Sequence, residues 1–423
     1  MLVISVFVFG TAISLFRILV SNRDALSNLV WAEDGLFPLC IQGNGYFQCL
    51  IEPYEGYFLF LSRTLALPVA VFPQSSWPLV TNIVAAVAFG FLSSVITWLL
   101  LRAQLSKTIA IGAGLAAVLL PIVGLEAINT SGSAYMLLLV VAAICVSFPF
   151  TPRLPLFLVP LILFVTALTI PSSVVLFIPL LVALVFGWAQ EKKQTITNIA
   201  GLSLGLVIQF FVVLTAENSR SVEITPASIQ DWLAQFPKAM LTLLPGFADI
   251  GERGQLADSV YSPNLWTGFF AVLLLCILSA YLLSRKSPQL KGAGWLLITG
   301  YLIGLIPAVT NYPINRYFVV PIITLVIALF IWIGSVFTGK YSIIPVIVII
   351  LIFLAWLQDF GASEIRTTPS PSWPDMLSTL QEQCKQDPDS PPAFTFSPNW
   401  PFADANFTGP TSHIVNCRII LTD

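Results

Sequence analysis

The chain has 423 residues, of which 57% are hydrophobic and 9% are charged, and its formal net charge is −2. This composition excludes the set of soluble domains that the length alone would allow. Most of the chain is expected to lie in a bilayer in contact with membrane lipids, and no nucleic-acid partner is expected.

Uncharged apolar stretches long enough to cross the hydrocarbon as helices recur along the chain. Only helices and closed barrels satisfy their backbone groups in lipid, and these stretches are continuous rather than alternating, which favours helices. The predicted fold class is an all-α polytopic membrane protein. It has about eleven transmembrane helices, at 2–20, 79–101, 108–125, 134–150, 155–171, 173–189, 197–215, 264–284, 293–310, 317–337 and 342–358.

The first of these spans is expected to be an uncleaved signal-anchor rather than a cleaved signal peptide. No basic residue precedes its apolar run, and no clear small-residue cleavage site follows it. Arg17, near the end of this span, is interpreted as a simple membrane anchor.

Outer loop one, about 21–78, contains two adjacent carboxylates, Glu33 and Asp34, in a stretch rich in glycine and aromatic residues. The chain has one histidine, His413, so proton transfer is expected to fall to a carboxylate. A partly desolvated carboxylate at the membrane surface can act as a general base. The alternative is a solvated acidic turn or a helix N-cap at Asp34.

The second half of this loop is aromatic and contains one arginine. Tyr54 and Tyr57 could stack on sugar rings, or they could belong to an interfacial aromatic belt. Residues 56–72 are interpreted as a helix along the outer interface, with Arg63 directed toward protein or headgroups. The alternative is an additional span, which would reverse the sidedness of the acidic pair.

Polar residues also stand at the outer ends of later spans. Glu126 and Asn129 could converge on outer loop one if the bundle folds around a cavity, although each alone is an ordinary helix-end residue. Ser172 and Ser173 are weaker candidates of the same kind. A role for the first two in binding substrate is the working prediction.

Outer loop two, about 216–263, has apolar residues at helical spacing from 228 to 244, which indicates an interfacial helix. Farther along, Arg316 and Tyr317 stand at the outer mouth of the tenth span. Arginines at this depth attract anionic groups, and the guanidinium fork suits a phosphate. For Arg316, as for Arg63 in outer loop one, the alternative is snorkelling to lipid headgroups.

The distribution of lysine and arginine predicts the orientation, because basic residues gather in cytoplasmic connections. It predicts a cytoplasmic N-terminus and an extracytoplasmic face that carries the acidic pair, both long loops and the C-terminus. The chain then divides into a polytopic domain, 1–358, and a small extracytoplasmic region, 359–423. That region is expected to pack on the outer loops as a cap.

Four of the cysteines fall on the predicted outer face as two natural pairs, Cys40 with Cys49 and Cys384 with Cys417. Disulfides persist in oxidising compartments, so this placement fits an extracytoplasmic face. Spacing alone proves neither bridge.

Three short elements resemble those of bacterial members of the GT-C superfamily of membrane glycosyltransferases. They are Trp-Ala-Glu-Asp-Gly at 31–35, Pro-Tyr-Glu-Gly-Tyr at 53–57 and Asn-Arg-Tyr at 315–317. Members of that superfamily have many spans and an acidic pair in the first outer loop. They move sugars from polyprenyl-phosphate carriers to acceptors outside the cytoplasmic membrane.

The resemblance implies that Asp34 or Glu33 is the catalytic base, and that Arg316 holds the phosphate of the lipid-linked sugar. It implies a polyprenyl-phosphate-linked sugar as donor, a glycan or lipid as acceptor, and a place in the bacterial cytoplasmic membrane. No cofactor is certain and no metal ligand is identified. A divalent cation stays open, because the chain has no obvious second acidic metal motif.

Two other functions are alternatives. A transporter or flippase of lipid-linked glycans would have charges near mid-membrane and broken helices in repeated halves, and the nearly charge-free spans without a visible repeat count against it. A polymerase or ligase of surface polysaccharide would share the outer-face arginines but use a lipid-diphosphate donor.

Overall fold

The described part of the chain is almost entirely helical, as predicted. The computed structural model describes residues 1–21, 28, 30, 33–53, 57–126, 130–150, 154–186, 192–215, 226–244, 265–310, 315–337, 339–360, 372–388, 393–394, 413–414 and 417–421. The exception to the helical content is an antiparallel pair of two-residue strands, β1 (Ala393–Phe394) and β2 (His413–Ile414), in which Ala393 lies opposite Ile414.

The structure describes eighteen α-helices. In chain order they are α1 (Leu2–Ser21), α2 (Glu33–Asn44), α3 (Tyr46–Ile51), α4 (Phe60–Ala70), α5 (Trp77–Arg102), α6 (Lys107–Leu119), α7 (Pro121–Glu126), α8 (Tyr135–Ser147), α9 (Leu158–Thr169), α10 (Phe177–Phe186), α11 (Lys192–Thr215), α12 (Pro226–Leu241), α13 (Leu265–Leu283), α14 (Pro288–Thr310), α15 (Val319–Val336), α16 (Ile343–Trp356), α17 (Trp373–Gln386) and α18 (Cys417–Ile420). Single 3-10 turns occupy Gln74–Ser76, Ser131–Ser133, Pro171–Leu176, Asn315–Phe318, Gly339–Tyr341 and Leu357–Asp359.

Six of the described helical segments are long and apolar enough to cross a membrane, judged by length and composition. They are Leu2–Val20, Gln74–Arg102, Lys192–Leu214, Leu265–Leu283, Pro288–Ile306 and Val319–Val336. The other predicted spans coincide with shorter apolar helices, at Lys107–Val123, Ser131–Ser147, Leu158–Thr169, Pro171–Phe186 and Ile343–Asp359. This set of helices is that of a multi-pass membrane protein.

Helix α8 forms the centre of the bundle. Every residue of Met136–Ser147 is buried, and the helix is apolar on all sides because α5, α9, α14 and α15 surround it. Helix α1 packs along α5 so closely that a Cβ on Gly90 would lie 2.7 Å from the carbonyl oxygen of Phe7. Small residues permit such close approach between membrane helices.

The predicted span 108–125 is not one continuous helix. Helix α6 ends at Leu119, and α7 starts at Pro121 after Leu120 takes an extended conformation. Pro121 has no N–H with which to continue the hydrogen-bond ladder, and its ring crowds the preceding turn. The chain therefore changes direction near the end of this segment.

Arg17 lies at this break, and its interpretation as a simple membrane anchor is wrong. Its side chain is fully buried and donates hydrogen bonds of 2.9 Å to each of three carbonyl oxygens, those of Val118, Leu119 and Leu120. The guanidinium carbon also lies 5.1 Å from the ring centroid of Phe360. Arg17 thus binds the backbone at the end of α6 rather than lipid headgroups.

Helix α12 corresponds to the predicted interfacial helix of outer loop two, but its aromatic side chains face protein. Trp232 and Phe236 are buried against α14 and the Asn315–Phe318 turn. The ring centroids of Trp232 and Tyr301 are 4.8 Å apart in an edge-on contact, and Trp232 stacks on Phe318 at 5.8 Å. The apolar face that the sequence pattern showed therefore packs on the bundle.

Helix α17, in the C-terminal region, packs on the start of α5. Trp373 is buried, stacks on Trp77 with ring centroids 5.6 Å apart, and donates a 2.8 Å hydrogen bond from its indole N–H to the carbonyl of Gln74. Leu39 of α2 and Val69 of α4 belong to the same buried cluster. The C-terminal helix therefore contacts outer loop one directly.

Candidate functional site

Asp34 occupies the first turn of α2, where the helix dipole favours a negative charge. Its side chain is only 2% exposed. Its Oδ1 accepts a 2.5 Å hydrogen bond from the Ser131 hydroxyl and a 3.1 Å hydrogen bond from the backbone N–H of Gly132. The alternative of a solvated acidic turn is therefore wrong for Asp34, whose carboxylate is buried and held in a fixed orientation.

The partner of Asp34 is the Ser131–Ser133 turn, which has its own internal support. Thr130 caps this turn by accepting a 3.2 Å hydrogen bond from the N–H of Ser133. Ser62 of α4 donates a 3.4 Å hydrogen bond to the carbonyl oxygen of Gly132. The two polar groups of Gly132 thus join α2 on one side and α4 on the other.

Arg63 follows Ser62 in α4 and lies beside α2. Its side chain is 4% exposed, and its guanidinium carbon is 5.2 Å from the ring centroid of Phe37. Phe37 is three residues after Asp34, so both stand on one face of the helix. Of the two expected directions for Arg63, protein or headgroups, the structure shows protein, and the snorkelling alternative is wrong for this residue.

Helix α4 has 11 residues, which at 1.5 Å per residue extend about 16 Å, and it is the shortest of the six shorter apolar segments in the described part of the chain. Its start is tied to two helices of the bundle. The N–H of Leu61 donates to the Thr169 hydroxyl at 3.3 Å, and the N–H of Phe58 donates to the Gln209 side-chain oxygen at 2.9 Å. Tyr57 is half-buried and packs against the apolar cluster that contains Phe37.

Helices α2 to α4 and the Ser131–Ser133 turn are together called the site layer. The site layer contains Asp34 and Arg63, two of the predicted site residues, and Tyr57, a third, stands just before α4. It also contains Ser131, which stood in the polar stretch after the third span but was not selected. The visible signal was the run Thr-Ser-Gly-Ser at 130–133, whose composition is typical of a capped turn.

A second group of predicted residues surrounds a small cavity next to the site layer. Tyr317, Ser172 and Tyr135 line it, together with apolar side chains of α8, α14 and α15. Tyr135 comes two residues after the Ser131–Ser133 turn, and α7 packs against the Asn315–Phe318 turn that contains Tyr317. The cavity holds about 20 Å³, which is room for water-sized molecules, whereas pockets for larger ligands measure roughly 300–1,000 Å³.

The remaining predicted residues are described only in part. Tyr54 and Asn129 lie outside the described residues, and so do the side chains of Glu33, Glu126 and Arg316. The backbone places Glu33 at the first position of α2, Glu126 at the last position of α7 and Arg316 in the Asn315–Phe318 turn. Their roles as catalytic or binding residues stay predictions.

Both expected cysteine pairs are bonded in the structure. The Cα atoms of Cys40 and Cys49 are 5.9 Å apart, and those of Cys384 and Cys417 are 5.2 Å apart. Glu52 lies beside the first pair, with a carboxylate oxygen 3.4 Å from the sulfur of Cys40. Zinc binding requires thiolates, and both sulfurs are already used in the disulfide, so this group is read as a bridge rather than a metal site.

No family model and no curated protein matches this chain. Function is therefore inferred from the chemistry of the site layer.

Proposed function

We propose that this chain is an integral-membrane glycosyltransferase. It transfers a sugar from a polyprenyl-phosphate donor to a glycan or lipid acceptor on the extracytoplasmic side of a bacterial cytoplasmic membrane. The observation that carries the proposal is the buried Asp34 carboxylate, whose Oδ1 is held by Ser131 and Gly132. Arg63 is also buried, on the helix that packs against α2. A membrane protein rarely buries an acid and an arginine on packed helices without a functional reason.

In the proposed reaction, the Asp34 carboxylate takes the proton of an acceptor hydroxyl. The acceptor oxygen then forms a bond to the anomeric carbon of the sugar, as the bond from that carbon to the phosphate oxygen breaks. The lipid phosphate leaves with the bonding electron pair and one additional negative charge. A single displacement of this kind inverts the configuration at the anomeric carbon.

The donors on Oδ1 orient the base and stabilise its ionised form. Arg63 supplies positive charge beside the base, and in this proposal Arg316 receives the departing phosphate. Glu33 is the second candidate for the base. Tyr57, which precedes α4, and Tyr317, which follows Arg316 in the Asn315–Phe318 turn, are assigned to sugar and lipid contacts.

The proposal also requires a particular topology. The six long apolar helices and the five shorter ones at the predicted positions would give about eleven crossings. With a cytoplasmic N-terminus, the site layer and the C-terminal region would then face the extracytoplasmic side. Labelling of a cysteine placed at Gln42, an exposed position of α2, with an impermeant reagent in intact cells would test this.

The decisive test replaces the carboxylate while preserving its shape. Asp34→Asn is expected to lower transfer from a polyprenyl-phosphate sugar by about a thousandfold or more, because the base is lost. Glu33→Gln separates the roles of the two acids. Asp375→Asn, at an exposed position in the first turn of α17, is the matched control and should retain full transfer. Full transfer by both Asp34→Asn and Glu33→Gln, with the protein folded, would refute the assignment.

One observation favours a second candidate, a transporter of lipid-linked glycans. The helix is interrupted between α6 and α7, and the carbonyls at the interruption accept hydrogen bonds from the buried guanidinium of Arg17. Helix ends that bind charged groups are a feature of transport proteins with discontinuous helices. Reconstituted protein that moves a fluorescent lipid-linked glycan across vesicles, at a rate unchanged by Asp34→Asn, would select this function over transfer.

A further inference from the structure

The break between α6 and α7 leaves backbone carbonyls without the donors that a continuous helix provides. In a regular helix, the carbonyl of Leu119 would accept from the N–H of Val123. Here the N–H of Val123 donates instead to the carbonyl of Leu120, at 3.1 Å. The carbonyls at the end of a helix carry partial negative charge, and leaving them unmet in an apolar environment is costly.

The guanidinium of Arg17 supplies donors to the carbonyls of Val118 and Leu119, and a second donor to that of Leu120. One nitrogen donates to Val118 and the other to both Leu119 and Leu120, all at 2.9 Å. Its planar fork holds three consecutive carbonyls in one geometry, which the single ammonium of a lysine does not do. Phe360 covers the guanidinium at 5.1 Å. Arg17 therefore fixes the angle at which the chain leaves α6.

The segment after the break leads directly to the partner of the proposed base. Helix α7 has six residues, and the chain reaches Ser131, the hydrogen-bond donor to Asp34, soon after its end. The same short helix packs against the Asn315–Phe318 turn, which contains Arg316. The direction of α7 thus affects the position of the Ser131–Ser133 turn and of the Asn315–Phe318 turn.

We infer that Arg17 is a positioning residue that fixes α7 and thereby aligns the Ser131–Ser133 turn with the Asp34 carboxylate. This inference rests on the proposed function for its effect on transfer, but its structural effect is measurable without any substrate. Arg17 takes no part in the chemical step of the proposed reaction. Its effect on that step passes through α7.

The test is hydrogen exchange of the full chain in nanodiscs, measured on a peptide covering residues 130–134. Arg17→Met keeps a long apolar side chain and removes the donors, so we expect exchange at Gly132 to rise about tenfold or more. Arg17→Lys should give a smaller rise. Arg102→Met is the matched control, because Arg102 lies over Trp98 at 5.6 Å at the opposite end of α5 from the Gln74 turn, and it should not change this peptide.

The transfer assay supplies a second readout. Arg17→Met should lower kcat by about tenfold or more and leave KM within about twofold, since misalignment of the base affects the chemical step more than donor binding. Unchanged exchange in α17 shows that the variant is folded. If Arg17→Met does not fold, Arg17→Lys carries the test through its exchange at 130–134.

Wild-type exchange at 130–134 in a folded Arg17→Met, or in Arg17→Lys if the first variant does not fold, would overturn the inference. Failure of the proposed function is a separate outcome. It would appear as full transfer by Asp34→Asn, and it would leave the exchange result on Arg17 standing.

Discussion

The site layer and the C-terminal cap, defined as α17 and α18, are neighbours held in place by different forces. The site layer is joined internally by polar contacts, such as that of Asp34 with Ser131, and is tied to the bundle by those of Phe58 with Gln209 and of Leu61 with Thr169. The cap is held by apolar burial around Trp373 and by the disulfide between Cys384 and Cys417. Directional contacts fix the position of catalytic groups, whereas apolar burial supplies stability with less geometric control. Substitutions in the two regions should therefore have separable effects on transfer and on stability.

The largest effect on stability is expected in the cap. Trp373→Ala removes a buried aromatic ring and its hydrogen bond to Gln74, and should reduce the free energy of unfolding of the cap by about 3–5 kcal/mol. Transfer per folded molecule should stay near the wild-type level. Proteolysis of the tail and a transfer assay measure the two effects. Trp266→Ala, at an exposed position of α13, is the control. Loss of transfer with a fully protected cap would contradict the separation.

Each of the two regions has one disulfide, so the site layer and the cap can be compared through the same kind of bond. Loop-closure entropy predicts that loss of the Cys384–Cys417 bridge, with a sequence separation of 33, costs about 3.7 kcal/mol. Loss of the Cys40–Cys49 bridge, with a separation of 9, costs about 2.6 kcal/mol. Paired Cys→Ser variants, followed by thermal unfolding, measure both.

For transfer, the expected order of the two effects is reversed. Loss of the Cys40–Cys49 bridge should lower transfer more than loss of the Cys384–Cys417 bridge. Cys40 lies on the helix that carries Asp34, so its bridge supports the site layer, whereas the other bridge lies within the cap. We expect transfer to fall in the Cys40→Ser/Cys49→Ser variant and to persist in the Cys384→Ser/Cys417→Ser variant at a temperature where both are folded. Equal transfer in the two variants would show that the Cys40–Cys49 bridge supports the site layer no more than the cap bridge does.

A smaller change in free energy is expected from Ser131→Ala, which removes a donor to the Asp34 carboxylate. A hydrogen bond to a charged group contributes about 1.5–3 kcal/mol, which corresponds to a fall in kcat of about tenfold to a hundredfold. Ser133→Ala, two residues along in the same turn, is the matched control. Steady-state transfer kinetics measure both variants. Equal kinetics for the two would show that the Ser131 hydroxyl does not support the base.

The smallest effect is expected at the junction between the two regions. The side chain of Gln74 donates to Gln42 of α2 at 3.0 Å, while its backbone carbonyl accepts from Trp373. Gln74→Ala removes the first contact and keeps the second, so the cost should be about 1 kcal/mol. Thermal unfolding measures this cost. A loss as large as that of Trp373→Ala would mean that the two regions form one cooperative unit.

The helices could be predicted from the sequence because a membrane helix satisfies its backbone groups internally, so a continuous apolar run is sufficient evidence. The burial of Arg63 could also be predicted, since a charge in a short apolar segment needs protein around it. In both cases the property that permits the prediction, an apolar run or a charge within it, lies in the segment itself.

The break after α6 and the partner of Asp34 could not be predicted in the same way. Pro121 was visible in the span, but the arginine that stabilises the break is about a hundred residues away in sequence. Asp34 was selected by residue type, yet its contact with Ser131 depends on how α2 docks on the bundle. Such long-range pairs are set by packing, which a single sequence does not display.

The stacking of Trp373 on Trp77 has a consequence for biosynthesis. The indole of Trp373 contacts Gln74 across 299 residues of chain, so the ribosome completes the cap long after the first helices have emerged. At about 5–20 residues per second, the apolar surface around Trp77 stays uncovered for about 15–60 s. The short Cys40–Cys49 loop can close early in that interval, whereas the cap bridge must wait until Cys417 has been synthesised.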